Sequence, residues 1–127
     1  MLLEDYAFSQ DPHFFLDDAV FSIQALPDSP STGRPAIAAL LRRLYQEAFS
    51  ESCVEVHNVA LDSERHLGAL EFTFRGRHTG ELLGVAPTYH NVEVPMLAVY
   101  ELTNDGIQAG RLYFDMASLQ RQLGSVS

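Results

Sequence analysis

The sequence predicts an α+β fold, a cone-shaped, curved antiparallel sheet with its helices gathered on the concave side. Three observations carry this. A segment with helical spacing follows Gly33, the spacing changes to a period of two beyond Ser52, and four strand-like runs then succeed one another with only turns between them. A doubly wound fold would need strands and helices to alternate. At 127 residues the chain has the length of one domain, and residues 1–127 are read as one.

In chain order, residues 2–8 read as a short helical piece. Asp11-Pro12 opens a helical turn expected to reach Leu16, because aspartate caps and proline is tolerated in a first turn. Val20, Phe21 and Ile23 mark a strand from Ala19 to Ala25, which the run from Pro27 to Ser31 ends as a loop. The clearest helix begins after Gly33 with Pro35 near its first turn, and Ile37, Leu40, Leu41, Leu44, Tyr45 and Ala48 give it one buried face. Arg42, Arg43, Gln46 and Glu47 form its solvated face.

Val54, Val56 and Val59 then fit one strand, and Leu70, Phe72 and Phe74 another. From Val92 to Leu102, Val94, Met96, Ala98, Tyr100 and Leu102 share a face. Leu97 and Val99 on the other face are also apolar, so the middle of this strand is expected to be covered on both sides. Asn104-Asp105-Gly106 is a tight turn into a partner strand, Ile107 to Phe114. A short helix, Met116 to Leu123, ends at Gly124.

Composition excludes several classes of function. A net charge of −9 with only eight basic residues has the wrong sign for nucleic acid or an anionic membrane surface. The lone Cys53 allows neither an internal disulfide nor a thiolate zinc cage and reads as a buried, inert thiol. The start lacks the basic and apolar regions of a secretory signal, so a cytoplasmic location is expected. His13, His57, His66, His78 and His90 lack metal-ligand spacing, and no metal is expected. Gly76, Gly80 and Gly84 have no following Lys-Ser/Thr pair and read as a sharp loop at the mouth of the fold rather than a phosphate cradle.

Four segments read together: Gly33 to Ile37, Phe74 to Gly84 with its His78-Thr79-Gly80 core, Pro87-Thr88 with Val92 to Pro95, and Tyr113-Phe114-Asp115 with Leu119, Gln122, Leu123 and Gly124. Over residues 11–124 this set resembles the SnoaL-like polyketide cyclases and ester-cyclase-type proteins of the nuclear transport factor 2-like superfamily. The resemblance implies a cone-shaped α+β barrel with an interior pocket for a small hydrophobic molecule, a homodimer, and no cofactor. It also implies an acid/base aspartate, here Asp115, acting on a hydrophobic carbonyl compound. The first helix of such proteins usually begins well upstream, and here it reads as shortened.

Strand alternation places Arg111 and Tyr113 on the side of Asp115, so that a cation, a phenol and a carboxylate would form one wall. With Met96, Ala98 and Tyr100 they are the ligand-binding candidates. Two alternatives stand beside catalysis by Asp115: an N-cap for the last helix, or an ion pair with Arg111. The ketosteroid isomerases of the same superfamily carry acids near the positions of Ile23 and Ala98, where this chain has none. The alternative to an enzyme is a non-catalytic small-molecule-binding or dimerisation module of the same fold.

Overall fold

The structure is a computed structural model, and it describes residues 3, 6, 11–24, 30–82 and 84–124. Leu3 and Tyr6 are helical and buried; the rest of the helical piece expected at residues 2–8 lies outside the described residues, as does Ala25. Asp11 caps a single 3₁₀ turn, Pro12–Phe14, by accepting from the His13 amide at 2.9 Å. The helix expected to reach Leu16 ends there because the sheet claims the chain from Phe15 onward. Strand β1 (Phe15–Ile23) thus starts earlier than its apolar residues suggest, with Phe15 opposite Ile107 and Ile23 opposite Leu112.

A two-residue strand, β2 (Ser31–Thr32), folds back on β1 and leads into helix α1 (Arg34–Arg42). Gly33 stands at φ +91° and donates its amide to Ala19, a conformation that a residue with a Cβ rarely adopts. Ile37 and Leu41, one turn apart, bury the inner stripe of α1. The helical spacing continues beyond Arg42 but the winding loosens: Arg43–Glu47 form a π turn, closed by the Ala48 amide on the Arg43 carbonyl. Period-two residues then build β3 (Phe49–Asp62), β4 (Leu67–His78), β5 (Asn91–Leu102) and β6 (Ile107–Phe114), and helix α2 (Met116–Leu123) follows.

The sheet order is β2-β1-β6-β5-β4-β3. Its neighbours are antiparallel as predicted, except that β1 and β6 run parallel. A helix and four strands intervene between those two, so the chain returns to β1 in the same direction. Register shifts in β1/β6, β3/β4 and β5/β6 bend the strands. The concave face carries Leu70, Phe72, Ala98, Tyr100 and Leu112, and α1, Leu3 and Tyr6 pack on it.

Helix α2 closes the end of the sheet beside β5. Strand β6 stops at Phe114, opposite Met96, so on that side the backbone of Glu93 lies beyond its reach. The Gln122 amide completes it, donating to the Glu93 carbonyl at 2.9 Å and accepting from the Glu93 amide at 2.6 Å. Leu119 and Leu123 bury beneath it, and Gly124 ends the helix at φ +75°.

The residues between β4 and β5 are tied down at His78. Its Nδ1 accepts from the Thr88 amide at 3.1 Å, which puts the ring proton on Nε2 and leaves the imidazole neutral. Nε2 is buried without a hydrogen-bond partner among the described residues. Thr79 and Gly80 both donate their amides to the Ala48 carbonyl. The three glycines read as one loop separate here: Gly76 is inside β4, packed on Phe49 and Phe74, while Gly80 lies against the Glu47 backbone and Gly84 stands in open space at φ +80°.

Two predictions follow from this corner. A Cβ at Gly80 would collide with the Glu47 carbonyl, so Gly80→Ala should cost about 3 kcal/mol in urea denaturation, whereas Gly84→Ala should cost only the left-handed backbone, about 1 kcal/mol. Burial, reinforced by the nearby His90, holds the His78 pKa below its usual value. The unfolded chain then takes up the proton first. The stability from neutral His78 is full above the ordinary histidine pKa of about 6.5 and is lost as the pH falls below it. Thermal melting from pH 8 to 5 should decline below that point, and His78→Gln should flatten the decline; an unaltered slope would place its source elsewhere.

Candidate functional site

The pleat sorts β5 and β6 into two faces. Val94, Met96, Ala98 and Tyr100 point to the concave side with Gly110, Leu112 and Phe114, while Leu97, Val99, Arg111 and Tyr113 stand on the outer face. Between the sheet, the π turn and α2 lies an interior cavity of about 40 Å³, walled by Tyr45, Phe74, Met96, Leu112, Phe114 and Leu119 among others. Its walls are apolar. A second space, an open groove of about 580 Å³, runs between α1 and the first residues of β3, with Leu41, Tyr45, Val54 and Phe74 as its floor and Arg42, Gln46, Ser52 and Cys53 on its banks.

Met96 is thus at the cavity, and Ala98 and Tyr100 sit deeper in the packed core on the same strand face. Arg111 and Tyr113 are on the other side of the sheet, so the wall of cation, phenol and carboxylate expected from alternation does not border this cavity. The partner of Arg111 is Glu101, at 2.7 Å, rather than Asp115. Arg111 and Tyr113, two residues apart on β6, both follow the outward pleat, and their hydrogen-bonding groups meet there.

Asp115 is exposed and caps α2, its Oδ1 accepting from the amides of Ala117 at 3.0 Å and Ser118 at 3.2 Å. Both bonds fall on one oxygen. Its chain neighbours Phe114 and Met116 line the cavity, while Asp115 itself is not among the lining residues.

Cys53 is exposed, contrary to the reading of a buried thiol. Strand β3 is the edge of the sheet, and the register shift between Ser50 and Cys53 turns the thiol toward the groove. Three tyrosines meet under α1. The Tyr6 and Tyr100 hydroxyls are hydrogen-bonded to each other, and Tyr45 lies close enough to act on both electrostatically. Burial raises the pKa of all three, so they are neutral donors at any physiological pH. Tyr45 and Phe74 were legible as buried positions, but the winding change that places Tyr45 between the two spaces has no signature in residue types. Among the described residues no three His, Cys, Asp or Glu side chains cluster as a metal site would require, and no helix is long and apolar enough to cross a membrane.

Solved structures of similar shape share this architecture at low identity. A Jannaschia sp. CCS1 protein assigned to the SnoaL-like polyketide cyclases superposes with a TM-score of 0.84 at 15% identity, over 99% of this chain and 91% of its own. TsrD from Streptomyces laurentii gives 0.80 at 18% identity, covering 98% and 93%. A Catenulispora acidiphila DSM 44928 protein with a ketosteroid isomerase-like fold, crystallised with trimethylamine, gives 0.74 at 16%, covering 97% and 92%. At these identities the likeness is one of fold. No curated protein matches the sequence. The model of the SnoaL-like polyketide cyclase family matches residues 7–123, nearly the whole chain, and the protein belongs to that family.

Proposed function

We propose that the protein takes up a small hydrophobic, carbonyl-bearing molecule on the concave side of its sheet, without a cofactor. The observation that carries this is the apolar interior cavity lying beside a groove of ligand size. Met96 is the ligand-binding candidate at the cavity itself. A thermal-shift screen of small aromatic and polyketide-like ketones should find compounds that raise Tm in a saturable way. A flat response across the panel would remove the reading.

A catalytic step is the second reading, and one feature favours it: Asp115 stands between two residues of the cavity wall and spends only Oδ1 on its cap. Oδ2 is left to exchange a proton with a carbon next to a ligand carbonyl, as a cofactor-independent cyclase of this family would require. Asparagine keeps the cap's acceptor but cannot ionise. Asp115→Asn should therefore melt within about 1 kcal/mol of the parent and bind ketones equally, while any turnover found falls about a hundredfold. Full turnover in this variant would leave a binding module with a capped helix.

The proposed assembly is a homodimer through the outer face of the sheet. Leu97 and Tyr113, opposite each other on β5 and β6, are 44% and 41% exposed, and Pro95 and Val99 extend the apolar strip. Arg75 with Glu55 and Glu93, and Arg111 with Glu101, place both signs of charge around it, so a two-fold partner meets complementary groups. Sedimentation at micromolar concentration should give twice the chain mass, and Leu97→Asp should halve it. A monomeric parent protein would refute the dimer.

A further inference from the structure

The cavity and the groove differ in a way that bears on how a ligand reaches the interior. At about 40 Å³ the cavity has room for little more than a methyl group or a water. The groove, at about 580 Å³, falls within the range of sites for drug-sized molecules. They share two wall residues, Tyr45 and Phe74, whose rings lie with centroids 5.2 Å apart at an interplanar angle of 39°. A molecule lying in the groove faces the interior across these two rings.

The two rings are held differently. Phe74 is fixed inside β4 with 2% of its surface exposed, and the rings of Tyr45 and Phe49 pack against it. Tyr45 is half-buried on the π turn, where the backbone has already left regular helical winding. No hydrogen bond of its hydroxyl is present among the described residues, and its backbone carbonyl accepts from the Ser52 hydroxyl at 2.6 Å. Ser52 belongs to the irregular stretch of β3, where Glu51 stands at φ +52° and the pairing with β4 shifts. A π turn on one bank and a bulged edge strand on the other therefore meet at Tyr45, and both kinds of irregularity recur at ligand sites.

We propose that the groove between α1 and β3 is where the ligand first binds, that it takes a planar apolar molecule bearing a hydrogen-bond acceptor, and that Tyr45 is the door between groove and interior. This rests on the small-molecule reading above. The apolar body lies on Leu41, Val54 and Phe74, and the acceptor receives a hydrogen bond from the Tyr45 hydroxyl. Rotation of the Tyr45 ring joins the two spaces and admits one end of the ligand against Met96 and Leu112.

The test uses 6-propionyl-2-dimethylaminonaphthalene, a planar fluorescent ketone whose emission shifts to the blue in apolar surroundings, added to the full chain in stopped flow and in titration. Tyr45→Phe should bind it up to about tenfold more weakly, the scale of one net hydrogen bond. Tyr45→Ala should speed association about tenfold and shift the emission further to the blue. Ala38→Trp, which fills the groove from the surface of α1 without entering the core, should slow association at least tenfold and guards against a folding failure of the alanine variant. Wild-type kinetics in Ala38→Trp and both Tyr45 variants, with binding weakened by Met96→Phe in the interior, would overturn the door while the pocket reading stands. A parent protein that binds neither this probe nor any ketone of the panel would overturn both.

Discussion

Leu112 lies opposite Ala98, and Met96 opposite Phe114; the placement of the remaining groups depends on that register. A slip of one residue between β5 and β6 would carry Leu112 and Phe114 to the outer face and bring Arg111 and Tyr113 into the interior. Burying an arginine without a partner costs several kcal/mol, and the outward position gives it Glu101 instead. The apolar interior and the charged outer face thus enforce the same alignment. Gly110, wedged between Phe21 and Tyr100, reinforces it, because a Cβ there would come within 2.8 Å of the Phe21 ring.

Beyond that register, the site is made by departures from regularity. A continuous α-helix through Glu47 would turn Leu44 and Tyr45 differently, and a flat β3 would bring its first residues closer to the helix. The π turn and the shift at Ser50/Cys53 leave a gap between the two elements, and that gap is the groove. Gly80 stabilises the far end of the π turn by letting the chain pass directly against the Glu47 backbone, where the Ala48 carbonyl takes two amides. The looseness at Tyr45 is thus bounded on its C-terminal side by a tightly packed corner.

The segments most specific to the family resemblance turn out to include much scaffold. Asp115 caps, Leu119 and Leu123 bury, Gln122 completes the Glu93 backbone and Gly124 terminates, so each position of that last segment has a structural task. His78 and Gly80 likewise tie a loop and admit a close backbone contact. Asp115 makes both of its cap bonds through Oδ1.

Local patterns determined the elements of this protein, because helical and period-two spacing, proline, glycine and Asn-Asp-Gly act on neighbouring residues in the chain. The helix after Gly33, the four successive strands, the tight turn before Ile107 and the capped last helix were all legible in that way. What the tertiary structure decided depends on residues far apart in sequence. Strand β1 begins at Phe15 because β6, some ninety positions later, pairs with it. Alternation shows that Arg111 and Tyr113 share a side but not which side, and Glu101 across the β5/β6 pair makes the outer one favourable. Cys53 is exposed on β3, beyond which no strand pairs among the described residues, a fact of sheet order that no neighbouring residue records. The division between cavity and groove is decided at the same level, where Tyr45 and Phe74, on separate elements, come together only once the sheet has curved around α1.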